Sequence, residues 1–162
     1  SAGRSGWPTR VRANPGRTTY RSRCPPCTID AVRLDRIHHV AIICSDYVVS
    51  KRFYTETLGL PVIREVYRDA RNSYKLDLGL PDGSQLELFS FPDPPPRPST
   101  PEAQGLRHLA FATPDLDDAV SELEAKGVAV EQIRVDEYTD RRYTFFKDPD
   151  GLPLELYEDG PR

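Results

Sequence analysis

The nine residues Pro149-Asp150-Gly151-Leu152-Pro153-Leu154-Glu155-Leu156-Tyr157 have an earlier twin in Pro81-Asp82-Gly83-Ser84-Gln85-Leu86-Glu87-Leu88-Phe89. Six of the nine positions are identical, at an offset of 68 residues. A second pair of segments, starting at His39 and His108, repeats at an offset of 69, with Ala41 matching Ala110 and Asp46 matching Asp115. Gly59 and Gly127 are back at 68, so the intervening helix absorbs the extra residue. Self-similarity on one period constrains the chain to two copies of a single supersecondary unit. In each copy a Pro-Asp-Gly turn feeds a strand. The alternation Leu-Glu-Leu then sends both leucines to one face and the glutamate to the other.

Each unit reads as β-α-β-β-β. In the first, β-branched residues fill a strand at 36–44, and Asp46 is placed to cap a helix running through Leu58 and closed by Gly59. Strands follow at 62–68, 73–80 and 85–90. The second unit retraces this with a strand at 106–113 and a helix from the Asp115 cap to Gly127, its apolar stripe formed by Leu116, Ala119, Val120 and Leu123. Strands are expected at 128–135, 142–147 and 153–157. The expected fold is α+β: two tandem βαβββ units (34–90 and 105–159) whose sheets form a curved, partly open barrel with the helices outside. Between them, residues 91–104 hold six prolines and read as an extended linker draped over the surface.

Residues 34–159 thus form one domain, preceded by an extension over 1–33 that reads as disordered. Residues 1–29 carry six arginines and no acidic residue. The formal net charge of −3 therefore hides an acidic body, which argues against nucleic acid as the main partner. The arginine-rich start resembles an organelle transit peptide but lacks an amphipathic stripe, and the missing initiating Met reads as a processed or truncated end. Three cysteines are too few for a disulfide framework, and Cys24-Pro25-Pro26-Cys27 has no second C-x-x-C to complete a zinc site. No apolar run is long enough for a bilayer, so the expectation is a cytoplasmic protein without a membrane partner.

The repeats also carry the chemistry. Each unit contributes one histidine near its start, His39 or His108, and one glutamate near its end, Glu87 or Glu155. If the sheets curve as expected, the leucines beside the glutamates pack under the helices and the carboxylates face the concave side. Ala41 and Ala110 share the histidines' faces and leave room beside them. Two neutral imidazoles and two carboxylates suit one divalent first-row ion: Ni²⁺, Co²⁺, Zn²⁺, Mn²⁺ or Fe²⁺. Four protein ligands on a six-coordinate ion leave two positions for water or substrate oxygens. Taken singly, a mid-strand glutamate is ordinarily solvent-facing and a histidine in an apolar strand ordinarily a core group. Repetition in register separates these four from that background. His38 competes with His39, and the repeat selects His39.

These residues resemble the vicinal oxygen chelate family, the glyoxalase, extradiol dioxygenase and bleomycin-resistance superfamily. The marks are His39-Val40-Ala41 with Asp46, Phe53-Tyr54 before Leu58-Gly59-Leu60, and Asp148-Pro149-Asp150-Gly151 before Leu154-Glu155-Leu156. Within the family, Arg64-Glu65-Val66-Tyr67-Arg68, Glu87-Leu88-Phe89-Ser90-Phe91-Pro92 and Gly105-Leu106-Arg107-His108 are similar to the YaeR-type, glyoxalase-I-like branch. The resemblance implies that the family's metal positions fall on His39, Glu87, His108 and Glu155. It also implies a lyase or isomerase that moves a carbon-bound proton on a small α-oxygenated carbonyl substrate such as a hemithioacetal, with Glu155 as the base and Glu87 as the partner carboxylate. Arg64, Arg68 and Arg107, with Lys75, are candidates to hold an anionic substrate. Phe89, Phe91, Tyr143 and Phe145 are candidates to line an apolar wall. A homodimer is expected, with the metal site either within a chain or shared. The alternatives are an Fe²⁺-dependent extradiol-type dioxygenase and a resistance-type protein that sequesters a small molecule without turnover.

Overall fold

The computed structural model describes residues 32–160. The expectations for the arginine-rich start and for Cys24 and Cys27 lie outside the described residues. The chain divides into Ser1–Asp35 and Arg36–Arg162, and the architecture below belongs to the second unit. Its elements are β1 (His39–Cys44), α1 (Tyr47–Arg52) continuing as a π-helical turn over Phe53–Thr57, β2 (Val62–Arg68), a 3₁₀ turn at Asp69–Arg71, β3 (Ser73–Gly79) and β4 (Gln85–Ser90). After the linker come β5 (Leu109–Thr113), α2 (Leu116–Ala125), β6 (Arg134–Val135), β7 (Arg142–Lys147) and β8 (Pro153–Glu158).

Two mixed four-stranded sheets result, ordered β1-β4-β3-β2 and β5-β8-β7-β6. In each, the first strand runs parallel to the last strand of its own repeat, and the other pairs are antiparallel. The duplication extends to the register: Ala41 sits opposite Glu87, and Ala110 opposite Glu155. This is the expected βαβββ tandem. The two sheets remain separate rather than closing into one barrel.

The caps act as their residues dictate. Asp46 accepts a bond from the amide of Val49 at 3.0 Å, and Asp115 one from Asp118 at 3.1 Å. Both Pro-Asp-Gly turns place their glycine at positive φ, 81° at Gly83 and 78° at Gly151, where a Cβ would be strained. From those turns the alternating strands bury Leu86, Leu88, Leu154 and Leu156 in one core with Tyr54, Leu116, Leu123 and Phe146. Each fully buried leucine contributes roughly 1.5–3 kcal/mol over exposure, which fixes the sheet face that the glutamates cannot occupy.

The expected strand over 128–135 survives only as Arg134–Val135. Val128, Val130 and Ile133 turn into the core instead of alternating along a sheet edge. The remaining attachments there are the Glu131 amide to the Phe145 carbonyl at 2.8 Å and the Thr144 hydroxyl to the Glu131 carbonyl at 2.7 Å. The linker has neither helix nor strand, as expected. Arg97 ties it to the carbonyl oxygens of Leu106 and Arg107, and Ser99 donates to the Gly151 carbonyl at 3.3 Å.

The repeats are clamped through the second turn. Tyr54 donates to Oδ2 of Asp148 at 3.0 Å inside the core, while Oδ1 of Asp148 accepts the amides of Asp150 and Leu152. Burial raises the Asp148 carboxyl above the ordinary carboxylate range despite these donors. Asp150 in turn accepts the Ser45 amide at 3.0 Å and bonds the Ser45 hydroxyl.

Candidate functional site

On β4 the alternation that buries Leu86 and Leu88 turns Glu87 to the opposite face. The parallel neighbour β1 brings His39 onto that face. Nε2 of His39 lies 3.8 Å from Oε2 of Glu87. In the second unit, β8 and the residue ahead of β5 reproduce the pair: Nε2 of His108 lies 2.9 Å from Oε2 of Glu155. Each histidine therefore aims its distal nitrogen at its own repeat's glutamate. Two cis ligand atoms on a first-row ion, each at about 2.1 Å, stand about 3 Å apart, so the second pair fits two adjacent positions on such an ion, and the first stands wider than that spacing. Each pair offers one nitrogen and one oxygen and no sulfur.

Two such pairs form, and they do not converge. Among the described residues no group of three or more His, Cys, Asp and Glu side chains lies close enough to hold a metal ion. The intrachain meeting of all four groups, expected if the two sheets closed on each other, does not occur.

The surroundings of the two pairs differ. In the first, Nζ of Lys75 is 2.7 Å from Oε1 of Glu87 and 2.8 Å from Oδ1 of Asp77. Asp77 is only 3% exposed and also accepts Nε and Nη2 of Arg64, at 3.0 and 2.7 Å. Burial alone would raise the Asp77 carboxyl, but the lysine and arginine outweigh it and hold it below the usual carboxylate range. Burial alone would lower Lys75, and its two carboxylates outweigh that and raise it. In the second pair, the residue facing Glu155 across the strands is Phe145, where Asp77 faces Glu87. The Phe145 ring meets the His108 ring edge to face at 5.2 Å, and Tyr143 meets Phe145 at 5.9 Å. The same repeat position thus carries a charged cluster in one half and an aromatic wall in the other.

Of the remaining candidates, Phe89 and Phe91 stack 6.0 Å apart at the far end of β4, with Arg68 above them. Arg107 lines a cleft of about 250 Å³ beside His108, together with Phe145, Arg134 and Lys147. Arg64 is committed to Asp77. Asp77 itself escaped the sequence reading, because Leu76-Asp77-Leu78 looks like any solvated alternation. Its signal was the same Leu-acid-Leu pattern that marked the two glutamates. His38 was set aside as a ligand, and its Nδ1 lies 3.0 Å from Nδ1 of His39, where it can fix the tautomer that leaves Nε2 facing Glu87. Nδ1 of His108 is buried without a partner.

Comparison with known proteins agrees with this architecture. The profile of the Glyoxalase/Bleomycin resistance protein/Dioxygenase superfamily matches residues 36–156. YaeR of Escherichia coli (strain K12) is 61% identical over 125 residues, covering 77% of this chain and 97% of its own. The 2-epi-5-epi-valiolone epimerase of an Actinomyces species is 31% identical over 141 residues, covering 74% of this chain and 77% of its own. The crystal structure of the glyoxalase family protein from Enterococcus faecalis superposes with a TM-score of 0.72 at 50% identity, over 76% of this chain and 97% of that one. A duplicated βαβββ unit, a paired histidine and glutamate in each copy, and a profile match across nearly all of the folded region have one reading: the chain belongs to the Glyoxalase/Bleomycin resistance protein/Dioxygenase superfamily.

Proposed function

We propose that the chain is one subunit of a divalent-metal-dependent lyase or isomerase of the glyoxalase I type, with its site built between two copies. His39 and Glu87 of one copy would meet His108 and Glu155 of the other. The observation that carries this reading is the pair of separate half-sites, each presenting one imidazole nitrogen and one carboxylate oxygen to a common point. Two donors do not make a stable site, and a two-fold operation supplies the other two from the same sequence. Exposed Ile43 and Val66, on the glutamate face of the first sheet, fit a face that a second chain covers.

A bound divalent ion would supply Lewis acidity to the oxygens of an α-oxygenated carbonyl compound such as a hemithioacetal. The chain's own groups divide the remaining work. Among the described residues Glu155 is paired with no lysine or arginine, and it stands against Phe145 and Ala110, which suits a base taking a carbon-bound proton. Glu87 is held on one oxygen by Lys75, which suits a fixed ligand. Tyr143 and Phe145 exclude water from the side where the proton moves. The 31% identical relative is named an epimerase, and inversion at carbon likewise rests on moving a carbon-bound proton.

Subunit exchange tests the shared site. His39→Ala and His108→Ala proteins each lose metal binding, and mixing them restores about a quarter of the sites if pairing in a two-fold dimer is random. Demonstrated exchange with no recovery would refute the shared arrangement. The reaction is tested by screening Ni²⁺-, Zn²⁺-, Mn²⁺- and Fe²⁺-loaded protein on hemithioacetals and catechols. Isomerisation lost in Glu155→Gln, with metal retained, supports the assignment. Turnover requiring Fe²⁺ and dioxygen would replace it with an oxygenase, and tight binding without turnover with a sequestering protein.

A further inference from the structure

Among the described residues Arg64, Arg68 and Lys75 share the glutamate face of the first sheet, and only Arg68 is left with its charge uncancelled. Arg64 and Lys75 are neutralised inside the sheet by Asp77 and Glu87. Arg68, at the end of β2, has no carboxylate within ion-pairing distance among the described residues. It is nevertheless tightly held. Its Nη2 donates to Oγ of Ser73 at 2.6 Å, and Ser73 is fully buried. Its guanidinium carbon lies 4.7 Å from the centre of the Phe89 ring and 5.4 Å from that of Phe91. Its Nε is shielded from solvent without an acceptor. Arg134 of the second unit stacks in the same way on Tyr143 and Phe145 but is paired with Glu131, so among the described residues a ring-stacked arginine without a carboxylate is particular to the first half.

A guanidinium lying on aromatic faces keeps its edge available for in-plane acceptors, and a side chain already pinned loses little freedom when an anion arrives. An unneutralised, half-buried arginine with an unused donor is arranged for a carboxylate or phosphate oxygen pair. Its place relative to the half-site follows from the strand. Phe89 comes two residues after Glu87 on β4, about 7 Å along the same face, and Lys75 lies between, 5.8 Å from the Phe89 ring. The row runs His39, Glu87, Lys75, Phe89, Arg68.

From this row we infer that Arg68 is the anchor for an anionic group of the substrate. The substrate class narrows to compounds that carry a carboxylate or phosphate in addition to the oxygens presented to the histidines and glutamates, the anion lying over Phe89, which is set about 7 Å along the strand from Glu87. The second half of that statement rests on the functional reading above, whereas the anion contact needs no metal.

The test uses metal-free full-length protein titrated with inorganic phosphate and with glutarate, followed by calorimetry and ³¹P line broadening. Wild type should bind at least one of the two, and the tighter names the group. Arg68→Gln should weaken that binding tenfold or more, Arg68→Lys less, and Arg64→Gln less than threefold. Thermal melts confirm that each variant is folded, and Arg68→Lys, which keeps the stem and charge, stands in if Arg68→Gln does not fold. Equal binding in wild type and Arg68→Gln, or no binding of either anion at 10-millimolar scale, would overturn the assignment. Each protein is then loaded with Ni²⁺ and dialysed, and its Ni²⁺ content should be unchanged in Arg68→Gln. Loss of anion binding in Arg68→Gln with no Ni²⁺ bound by any sample would leave the anchor standing and remove the metal reading instead.

Discussion

Lys75 and Glu87 are joined across β3 and β4 by a 2.7 Å ion pair, and the residue at Lys75's place in the second repeat is Tyr143. One glutamate is therefore shared with an ammonium and its counterpart is not. Replacing Lys75 by Met should raise divalent-ion affinity about a hundredfold, since a unit charge about 6 Å from a doubly charged ion at an effective dielectric of about 40 repels by ~2.8 kcal/mol. Tyr143→Phe should leave affinity unchanged. Isothermal titration with Ni²⁺ on both variants measures the difference.

The same lysine also supports buried Asp77. Lys75→Met leaves that carboxylate with Arg64 alone and should cost about 2 kcal/mol of stability. Adding Asp77→Asn should recover part of the loss, with a coupling of about 1–3 kcal/mol in a double-mutant cycle read from urea midpoints.

Asp77 also sets a pH dependence. Its carboxyl is held below the ordinary range, so the native state binds fewer protons there than the unfolded chain. Its contribution is complete above an unfolded pKa of about 3.9 and fades as pH falls through the depressed value. The stability difference between wild type and Asp77→Asn should be flat from neutral pH to about 4 and shrink below it.

Asp148 should behave in the opposite sense. Burial raises its carboxyl, so the folded protein holds that proton more tightly than the unfolded chain. Relative to Asp148→Asn, wild type should gain stability as pH falls from neutral through the raised pKa, with no further gain below about 3.9. Tyr54→Phe, which removes the hydroxyl donor to Asp148, should cost about 1–2 kcal/mol.

Cys44 offers a check on the core beneath the first half-site. Its thiol is almost fully buried and donates to the Phe89 carbonyl at 3.3 Å, and burial pushes its pKa up to about 11. With Cys24 and Cys27 replaced by serine, a thiol reagent at pH 8 should react only at the rate of global unfolding.

The features visible before folding were those set by local spacing. The Pro-Asp-Gly turns, the Asp46 and Asp115 caps and the Leu-Glu-Leu alternation each act within a few residues, and all take the expected form. The histidine–glutamate pairings were legible because the repeat exposed the register. The strand over 128–135 was misread, since Val128 and Val130 satisfy β propensity while tertiary packing draws them into the core. The Lys75–Asp77–Arg64 cluster depends on which residues face each other across three strands, and no local pattern states that. Whether the two half-sites meet within a chain depends on how the sheets are set apart, and no stretch of sequence records it.

The parallel pairing of β1 with β4, and of β5 with β8, has a consequence for how the half-sites come into being. The histidine is near the start of its repeat and the glutamate near its end, so they meet only through the longest loop closure in the unit. The β2–β3–β4 and β6–β7–β8 meanders can zip locally beforehand. Each donor pair is then a late-forming contact: it exists only once the whole repeat has been synthesised and its first strand has docked. A ribosome-bound chain ending before residue 85 carries His39 with no carboxylate to meet it, and cannot capture an ion prematurely at that position.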